Sequence, residues 1–411
     1  MADETTPKKK GSVPKSTAVW TAAVLVAANA ALLAWKPLAS VDPEALPSAH
    51  TWAWWACKEY TELKKAPDVV LLGSSLFFQP FGRLEANYAG HDIDYVRHHR
   101  VTYMENALRQ QGFGKTDIVY NFSLPGSLVS DDYLVLRSLL TGARTPKVAV
   151  LGVSMRDMID TTVHCIGTTP PFRLLTRYTD IGDILDIAMP KLWQRFDYFA
   201  QKDLYLWGKK LDLQVMLSEA TKSTLGPKFS KWFGASRLAE ADPTRNLPSN
   251  LRSEVEYFPM HANEPVSWTD NADEYKRRYR NANEKMFKDE ATFLAKAADL
   301  AAQRGIQLVL VNAPLTPENH VLMPPGAYDH YLAFLHEFAS KRGIPLVDLD
   351  GKPQFVHADF YDNAHMNAVG GAKMANAIVE CLTSNPQVAA ALRGDGAATQ
   401  QLAVSKKQVT K

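Results

Sequence analysis

The stretch 68-DVVLLGSSL-76 decides the fold of this chain, because four consecutive apolar residues run directly into a glycine and two serines. A short, uninterrupted apolar run is typical of a strand that is buried on both faces of a parallel sheet. Four later runs have the same character. The five predicted strands occupy residues 68–73, 117–122, 147–152, 306–312 and 344–349.

Longer segments of helical period separate these strands, and glycines that suit helix C-caps follow three of them, at Gly112, Gly305 and Gly343. The alternation of strands and helices predicts a three-layer α/β/α sandwich around a parallel sheet. The predicted helices occupy residues 92–111, 129–142, 271–303, 326–341 and 366–382.

One connection is far too long for an ordinary crossover, since about 150 residues separate the third predicted strand from the fourth. We therefore predict a large, mostly helical insert at about residues 158–270. Its residues 183–216 have helical character, and two interpretations stand: a lid or acceptor-binding wall over a functional site, or rings that pack the insert's own core. The aromatic residues concerned are Trp193, Phe196, Phe199 and Trp207.

The N-terminus contains an uncharged apolar run at residues 18–35, preceded by Lys8, Lys9, Lys10 and Lys15. A helix of this length spans about 27 Å, just short of a hydrocarbon core of roughly 30 Å, which is borderline but sufficient. We therefore predict a membrane anchor at residues 17–36, preceded by a polar, disordered tail at residues 1–16. The lysines place this tail in the cytoplasm and the rest of the chain outside it. A cleaved signal peptide and a buried soluble helix are the alternatives.

Residues 37–66 are predicted to connect the anchor to a domain at residues 67–383, and residues 384–411 to form a flexible tail. The connector holds Trp52, Trp54 and Trp55, which suit either lipid headgroups or the domain's own core.

Composition excludes some classes of function. With 46 basic and 44 acidic residues among 411, the formal net charge is +2, which gives no field to attract nucleic acid. Three cysteines, Cys57, Cys165 and Cys381, allow at most one disulfide and lack the spacing of a zinc site. Adjacent His98 and His99, on a predicted helix, cannot face one metal together.

Ser75 and the later segment 362-DNAHMNAVGG-371 carry the chemistry. A serine hydroxyl becomes a good nucleophile when an imidazole takes its proton, and a carboxylate orients that imidazole. Asp362 stands three residues before His365 in a predicted turn, which suits such a pair. The structural alternatives are helix capping by Ser74, Ser75 and Asp362, and a surface position for the histidine.

These two segments resemble the first and last blocks of the SGNH (GDSL-type) hydrolases. The GSS variant and the apolar N-terminus resemble the branch of DltD-like and AlgJ/AlgX-like proteins that serve envelope O-acylation. The resemblance covers roughly residues 67–157 and 306–383, and implies an SGNH/flavodoxin-like fold. It also implies a catalytic triad of Ser75, His365 and Asp362.

The middle blocks of that family match less closely. The segment 121-NFSLPG-126 resembles the block that supplies an oxyanion-hole glycine, which maps to Gly126. The next block should read GxND, but the chain has 152-GVSMRD-157. Ser154 stands near the place of the asparagine, so the hole is weaker or is rebuilt with Arg156. A surface ion pair of Arg156 with Asp157 is the alternative.

The resemblance implies a membrane-anchored, periplasmic or extracellular esterase or O-acyltransferase that works through an acyl-serine intermediate. It needs no cofactor or metal. Its partners would be an acyl donor, an envelope glycan or lipid acceptor, and a multispanning membrane acyltransferase. The alternative is a non-catalytic scaffold of an acylation system. The loop before the last predicted helix holds Asp348, Asp350, His357 and Asp359. These residues could form an acidic metal site, but we expect ordinary solvated loop residues.

Overall fold

The computed structural model of the chain describes residues 16–38, 51–114, 116, 118–209, 255, 257–281 and 283–395. Predictions for the N-terminal tail before residue 16, for residues 210–254 of the insert and for residues 396–411 lie outside the described residues. The chain forms two compact units. Of the described residues, the smaller comprises those within 1–48 and 191–246, and the larger comprises those within 49–190 and 247–411.

The larger unit is built on a five-stranded parallel sheet, as the apolar runs predict. Along the sheet the strands stand in the order β3-β1-β4-β6-β7. Two further strands of two residues each, β2 and β5, pair antiparallel outside it. The seven strands are β1 (Val69–Leu72), β2 (Ile93–Asp94), β3 (Val119–Asn121), β4 (Val148–Val153), β5 (Pro259–Met260), β6 (Gln307–Asn312) and β7 (Leu346–Asp348).

Helices cover both faces of this sheet, so the predicted α/β sandwich is confirmed. The chain steps from β1 to β3 in one direction and then from β3 towards β7 in the other. Because parallel crossovers are right-handed, the helices of the first step lie on one face and those of the later steps on the opposite face. The helices of the larger unit are α2 (Trp52–Glu62), α3 (Ser75–Ala89), α4 (Thr102–Gln110), α5 (Val129–Ser138), α6 (Met155–Ile159), α7 (Pro170–Leu175), α8 (Leu185–Ala188), α11 (Ala272–Arg278), α12 (Glu284–Gln303), α13 (Pro317–His320), α14 (Ala327–Arg342), α15 (Ala368–Ser384) and α16 (Pro386–Arg393).

The strand order creates a crevice between β1 and β4. From β1 the chain turns towards β3, whereas from β4 it turns towards β6, so the two strands separate the two halves of the winding. Open α/β sheets bind ligands beyond the carboxyl ends of such neighbouring strands. Ser75 follows β1, and Ser154 follows β4.

The helix predicted at residues 271–303 is two helices, since α11 ends at Arg278 and α12 begins at Glu284. Two further helix predictions need correction. The helix expected at residues 92–111 begins only at Thr102, because β2 pairs with β5 and residues 95–97 then form a turn. His98 and His99 therefore precede α4. Helix α3 was not predicted as a segment because Pro80 and Gly82 weaken its helical pattern. At Gly82 a Cβ would lie 2.7 Å from the ring of Tyr95, so close packing explains that glycine.

The predicted connector contains helix α2, whose Trp55 and Tyr60 side chains are buried. Trp52 packs edge-on against Phe78, with ring centroids 4.8 Å apart. Of the two interpretations of these tryptophans, the structure favours packing on the domain's own core. The tail predicted from residue 384 also starts later than expected, because α16 buries Val388 and Leu392.

The smaller unit contains α1 (Thr17–Trp35), α9 (Leu192–Asp203) and α10 (Tyr205–Gly208). Helix α1 is long and apolar enough to cross a membrane, and none of its residues is buried. Its exposure argues against the alternative of a soluble core helix. The aromatic residues of α9 also differ from the expected packed core, since Trp193 and Phe196 are exposed by 65% and 53%.

Candidate active site

The turn after β1 presents Ser75 as the first residue of α3. Gly73 has a φ of +138°, which L side chains rarely adopt, and a Cβ there would lie 3.0 Å from the carbonyl oxygen of Gly152 on β4. The Gly73 amide donates a hydrogen bond of 3.0 Å to Oδ1 of the buried Asp132. The glycine therefore lets the chain pass close to β4 and turn sharply into α3.

Ser75, His365 and Asp362 form a continuous chain of hydrogen bonds. The Oγ atom of Ser75 lies 2.8 Å from Nε2 of His365. On the other side of the ring, Nδ1 lies 2.8 Å from Oδ2 and 3.1 Å from Oδ1 of Asp362. In the tautomer that carries its proton on Nδ1, the ring donates to the carboxylate, and Nε2 accepts the serine proton. Such an arrangement would allow Ser75 to act as a nucleophile, with His365 as its base and the Asp362 carboxylate orienting the ring.

Asp362 is fixed by the loop that it begins. Its Oδ1 atom accepts hydrogen bonds from the amides of Ala364 (2.8 Å) and His365 (2.7 Å). Burial by itself would raise the pKa of Asp362, but the bonds and charge of His365 and these amides lower it below its ordinary value. The carboxyl group is thus held ionised, as an orienting partner of a histidine must be.

Tyr361 and Arg83 support the histidine, and the sequence analysis did not identify either residue. The Tyr361 and His365 rings are nearly parallel, with centroids 5.8 Å apart. The Arg83 guanidinium lies 4.2 Å from the centroid of the Tyr361 ring and pairs with Glu264. Arg83 stands two helical turns after Ser75 on the same side of α3, a signal that is readable only once α3 is recognised as a helix.

The open N-terminus of α3 is suited to hold a negative charge. Ser74 is the N-cap residue, but its side chain makes no capping bond. The amides of Phe77 and Phe78 bond to the Ser74 carbonyl, so those of Ser75 and Leu76 remain at the positive end of the helix. Such amides can donate to an oxyanion.

Gly126 lies in a turn that is attached to the nucleophile's turn, because the Leu124 amide donates to the Gly73 carbonyl (2.9 Å). Its φ is +79°. A Cβ at this position would lie 3.8 Å from Nη2 of Arg156. The structure thus brings the predicted oxyanion glycine and Arg156 together.

Ser154 makes different hydrogen bonds from those that the family resemblance suggests. Its amide and its hydroxyl both donate to Oδ2 of Asp157, over 3.0 Å and 2.8 Å. A hydroxyl has one proton, so Ser154 cannot also donate to an oxyanion. The residue instead caps α6.

Arg156 and Asp157 do form an ion pair, but the pair is buried and does not lie on the surface. The Nη1 atom of Arg156 donates to Oδ1 of Asp157 (2.7 Å) and to the Ser127 carbonyl (2.5 Å). Burial opposes the charge of Arg156, yet Asp157 and Asp160 raise its pKa above the ordinary value. The guanidinium therefore holds the Gly126–Ser127 turn against α6.

A group of buried carboxyl groups contacts the turn that holds Ser75, and it was not predicted from the sequence. Asp131 accepts hydrogen bonds from the Leu128 amide (2.9 Å) and the Thr169 hydroxyl (2.5 Å). Burial raises the pKa of Asp131 to about 7. Burial also raises the pKa of Asp132 and Glu290 well above the ordinary range.

The other candidate residues do not converge on a site. Asp348 contacts His336, Asp350 contacts His320, and Asp359 contacts Lys373. Within the described residues, no group of three or more histidine, cysteine or acidic side chains could hold a metal ion. Buried His99 bonds instead to the carbonyls of Val96 and Asn121.

Comparison with solved structures gives a distant likeness. No protein family matches the chain, and no curated protein resembles it in sequence. Among solved structures, a mutant of an acetyl-xylooligosaccharide esterase from Geobacillus Stearmophilus aligns with 78% of this chain and 95% of its own. The identity is 12% and the TM-score is 0.33. At that distance the likeness carries no argument about function.

Proposed function

We propose that this protein is an SGNH-type serine esterase or O-acyltransferase held to the outer side of a membrane by α1. The observation that carries the proposal is the hydrogen-bonded chain from Ser75 through His365 to Asp362, at the carboxyl end of β1. A serine, a histidine and an ionised carboxylate in this order can perform acyl transfer.

In the first half of the reaction, Oγ of Ser75 attacks the carbonyl carbon of an acyl donor while Nε2 of His365 takes the hydroxyl proton. Asp362 stabilises the resulting imidazolium. The carbonyl oxygen becomes an oxyanion and accepts hydrogen bonds from the amides of Ser75 and Gly126. Collapse of this intermediate breaks the bond to the leaving alcohol, which takes the proton from His365. An acyl-Ser75 ester remains.

In the second half, a hydroxyl group attacks the acyl-Ser75 ester, and His365 takes its proton. The second tetrahedral intermediate collapses, and the proton returns to Oγ of Ser75. If the attacking group is water, the protein is an esterase. If it is a sugar hydroxyl, the acyl group is transferred. This chemistry needs no metal or cofactor.

The membrane attachment supports an envelope substrate. Helix α1 is apolar, exposed along its length and follows a lysine-rich segment. An anchor of this orientation places the domain in the periplasm or outside the cell. There it would meet an envelope glycan or a lipid-linked acceptor, with a multispanning membrane acyltransferase as a candidate source of acyl groups.

A second candidate function is a non-catalytic scaffold of an acylation system. The capping role of Ser154 favours it, because one side-chain donor of the family's oxyanion hole is absent.

A fluorophosphonate probe separates the two candidates, since it reacts only with an activated serine. The full-length protein in detergent should be labelled at Ser75, and Ser75→Ala should abolish the label while Ser74→Ala retains it. The absence of labelling at Ser75 in the folded wild-type protein, together with glycan binding, would instead favour the scaffold.

A further inference from the structure

The segment Leu192–Gly208, which comprises α9 and α10, has an exposed apolar face. At about 100° per residue, Leu192, Trp193, Phe196 and Phe199 fall within an arc of about 120° on α9. Leu192 is 82% exposed. The opposite side of the helix carries Gln194, Asp197 and Gln201, which the structure keeps hydrogen-bonded.

The polar tip of Trp207 is paired within this segment. The indole Nε1 of Trp207 donates to Oδ1 of Asp197 over 3.0 Å. The rings of Trp193 and Phe196 stack with centroids 5.3 Å apart. A helix with an aromatic apolar face and a polar face beside it is typical of helices that lie in the plane of a membrane.

The segment is joined to α1 through Asn29. The Asn29 side-chain amide donates to the Asp203 carbonyl (3.0 Å), and its Oδ1 atom accepts from the Tyr205 amide (2.6 Å). An asparagine in an apolar spanning helix is unfavourable unless it is paired. Here it is paired with the two backbone groups that the break between α9 and α10 leaves without helical partners.

The position of Asn29 along α1 determines how deep in the membrane this contact with α9 and α10 would lie. Six residues separate Asn29 from Trp35 at the end of the helix, a rise of about 9 Å. Helices that lie in a membrane interface bury their apolar faces by roughly 5–10 Å. The Tyr205 hydroxyl also accepts from the Leu38 amide (2.9 Å), so the contact continues past the end of α1.

We propose that Leu192–Gly208 is a second membrane-contacting element, which inserts its aromatic face into the bilayer interface beside the C-terminal end of α1. The occupant of the apolar face is therefore lipid. The inference rests on the proposed membrane attachment through α1. It gives the chain between β4 and β6 a function: it returns to the membrane and provides a second tether for the enzyme.

The test uses the full-length protein in vesicles of phosphatidylcholine and phosphatidylglycerol. An environment-sensitive fluorophore is attached at Phe196→Cys on the apolar face, at the matched Gln201→Cys on the polar face, or at Leu25→Cys in the middle of α1. All carry Cys381→Ser, because the other two native cysteines are buried. Quenchers are aqueous iodide and phosphatidylcholine labelled with nitroxide at shallow or deep positions.

The expected result is iodide quenching several-fold weaker at Phe196→Cys than at Gln201→Cys, with strong quenching of the former by the shallow nitroxide. Leu25→Cys should respond to the deep nitroxide. If Leu25→Cys is shielded by lipid but Phe196→Cys is open to iodide, the inference is wrong and the anchor stands. If Leu25→Cys is itself open to iodide, the anchor fails and the inference with it. Protection of Phe196→Cys from both quenchers would mean a protein partner and would also overturn the inference.

Asn29→Leu tests the junction, with the neighbouring Ala28→Leu as its control. Loss of both Asn29 hydrogen bonds should increase iodide quenching at Phe196→Cys several-fold, while Ala28→Leu leaves it unchanged. Equal quenching in the two variants would contradict docking of the segment on α1.

Discussion

The Nδ1 atom of His365 lies 2.8 Å from Oδ2 of Asp362, three residues earlier in the chain. The same carboxylate accepts the amides of Ala364 and His365 through Oδ1. One side chain therefore fixes both the loop and the ring that the loop presents. Because the Asp362 carboxylate bonds to both, a segment of only four residues is enough to position the histidine.

Asp362→Asn should lower kcat by about 10²- to 10⁴-fold with little loss of stability. The asparagine carbonyl can still accept the two backbone amides, but its amide group would then face Nδ1 of His365 as a donor. The ring would be forced to carry its proton on Nε2, where it cannot accept the proton of Ser75. Steady-state kinetics on a p-nitrophenyl ester and thermal unfolding measure the two effects.

The control for that variant is Asp359→Asn, which changes a nearby aspartate whose carboxylate contacts Lys373 and not the ring. Its kcat should stay within a few-fold of wild type. An Asp362→Asn enzyme with undiminished kcat would show that the carboxylate does not orient the histidine.

Gly126→Ala should lower kcat by about 10²-fold if the Gly126 amide donates to the oxyanion. The φ of +79° makes an alanine there unfavourable by about 1–2 kcal/mol, which shifts the amide. Gly112→Ala is a matched control, because Gly112 has a φ of +86° and open space around it. Both variants should lose similar stability in urea unfolding, and only Gly126→Ala should lose activity. Parallel losses of activity would remove Gly126 from the proposed oxyanion hole.

The free energy of unfolding should fall as pH rises from about 4 to about 7, because of Asp131. Its pKa is raised from the ordinary 3.8 to about 7 in the folded protein. At a pH between these two pKa values, folded Asp131 keeps a proton that the unfolded chain has released. The stabilisation that comes from this protonated carboxyl group is therefore complete below the unfolded pKa and is lost as pH rises to the folded pKa. The slope from one such group reaches about 1.4 kcal/mol per pH unit.

Asp131→Asn removes this titration while keeping an oxygen that accepts a hydrogen bond from the Leu128 amide. Its stability relative to wild type, from urea unfolding at a series of pH values, should therefore increase with pH across that window. Asp299→Asn, which changes an exposed partner of Arg342, should show no such trend. A constant difference between Asp131→Asn and wild type would mean that Asp131 is already ionised at the acid end.

The sheet and the three residues of the candidate triad were predictable from sequence because each depends on a local pattern. Apolar runs mark buried strands, Ser75 follows such a strand, and His365 stands in the loop before the helix α15. The contacts that hold the turns around the candidate triad in place were not predictable in this way. Asp132 reaches the Gly73 amide, and Arg156 reaches the Ser127 carbonyl, through packing between helices distant in sequence.

Ser154 and the aromatic segment Leu192–Gly208 show a different limit. The sequence indicated that Ser154 stands where a donor is expected, but only the structure shows that its hydroxyl donates to Asp157. For the aromatic residues of α9, periodicity predicts an apolar face without identifying what covers it. Only the structure shows that this face is exposed and that Asn29 pairs with the α9–α10 junction.

The most direct measurement of the central claim is the covalent state of Ser75 during turnover. The full-length protein is mixed with p-nitrophenyl acetate, quenched in acid within the first turnover, and analysed by intact mass and peptide mapping. We predict one acetyl group per chain, located on Ser75, absent in Ser75→Ala and formed far more slowly in His365→Ala. Continued release of p-nitrophenol from the wild-type protein with no acetyl group on Ser75, or equal acetylation in His365→Ala, would contradict the proposed mechanism.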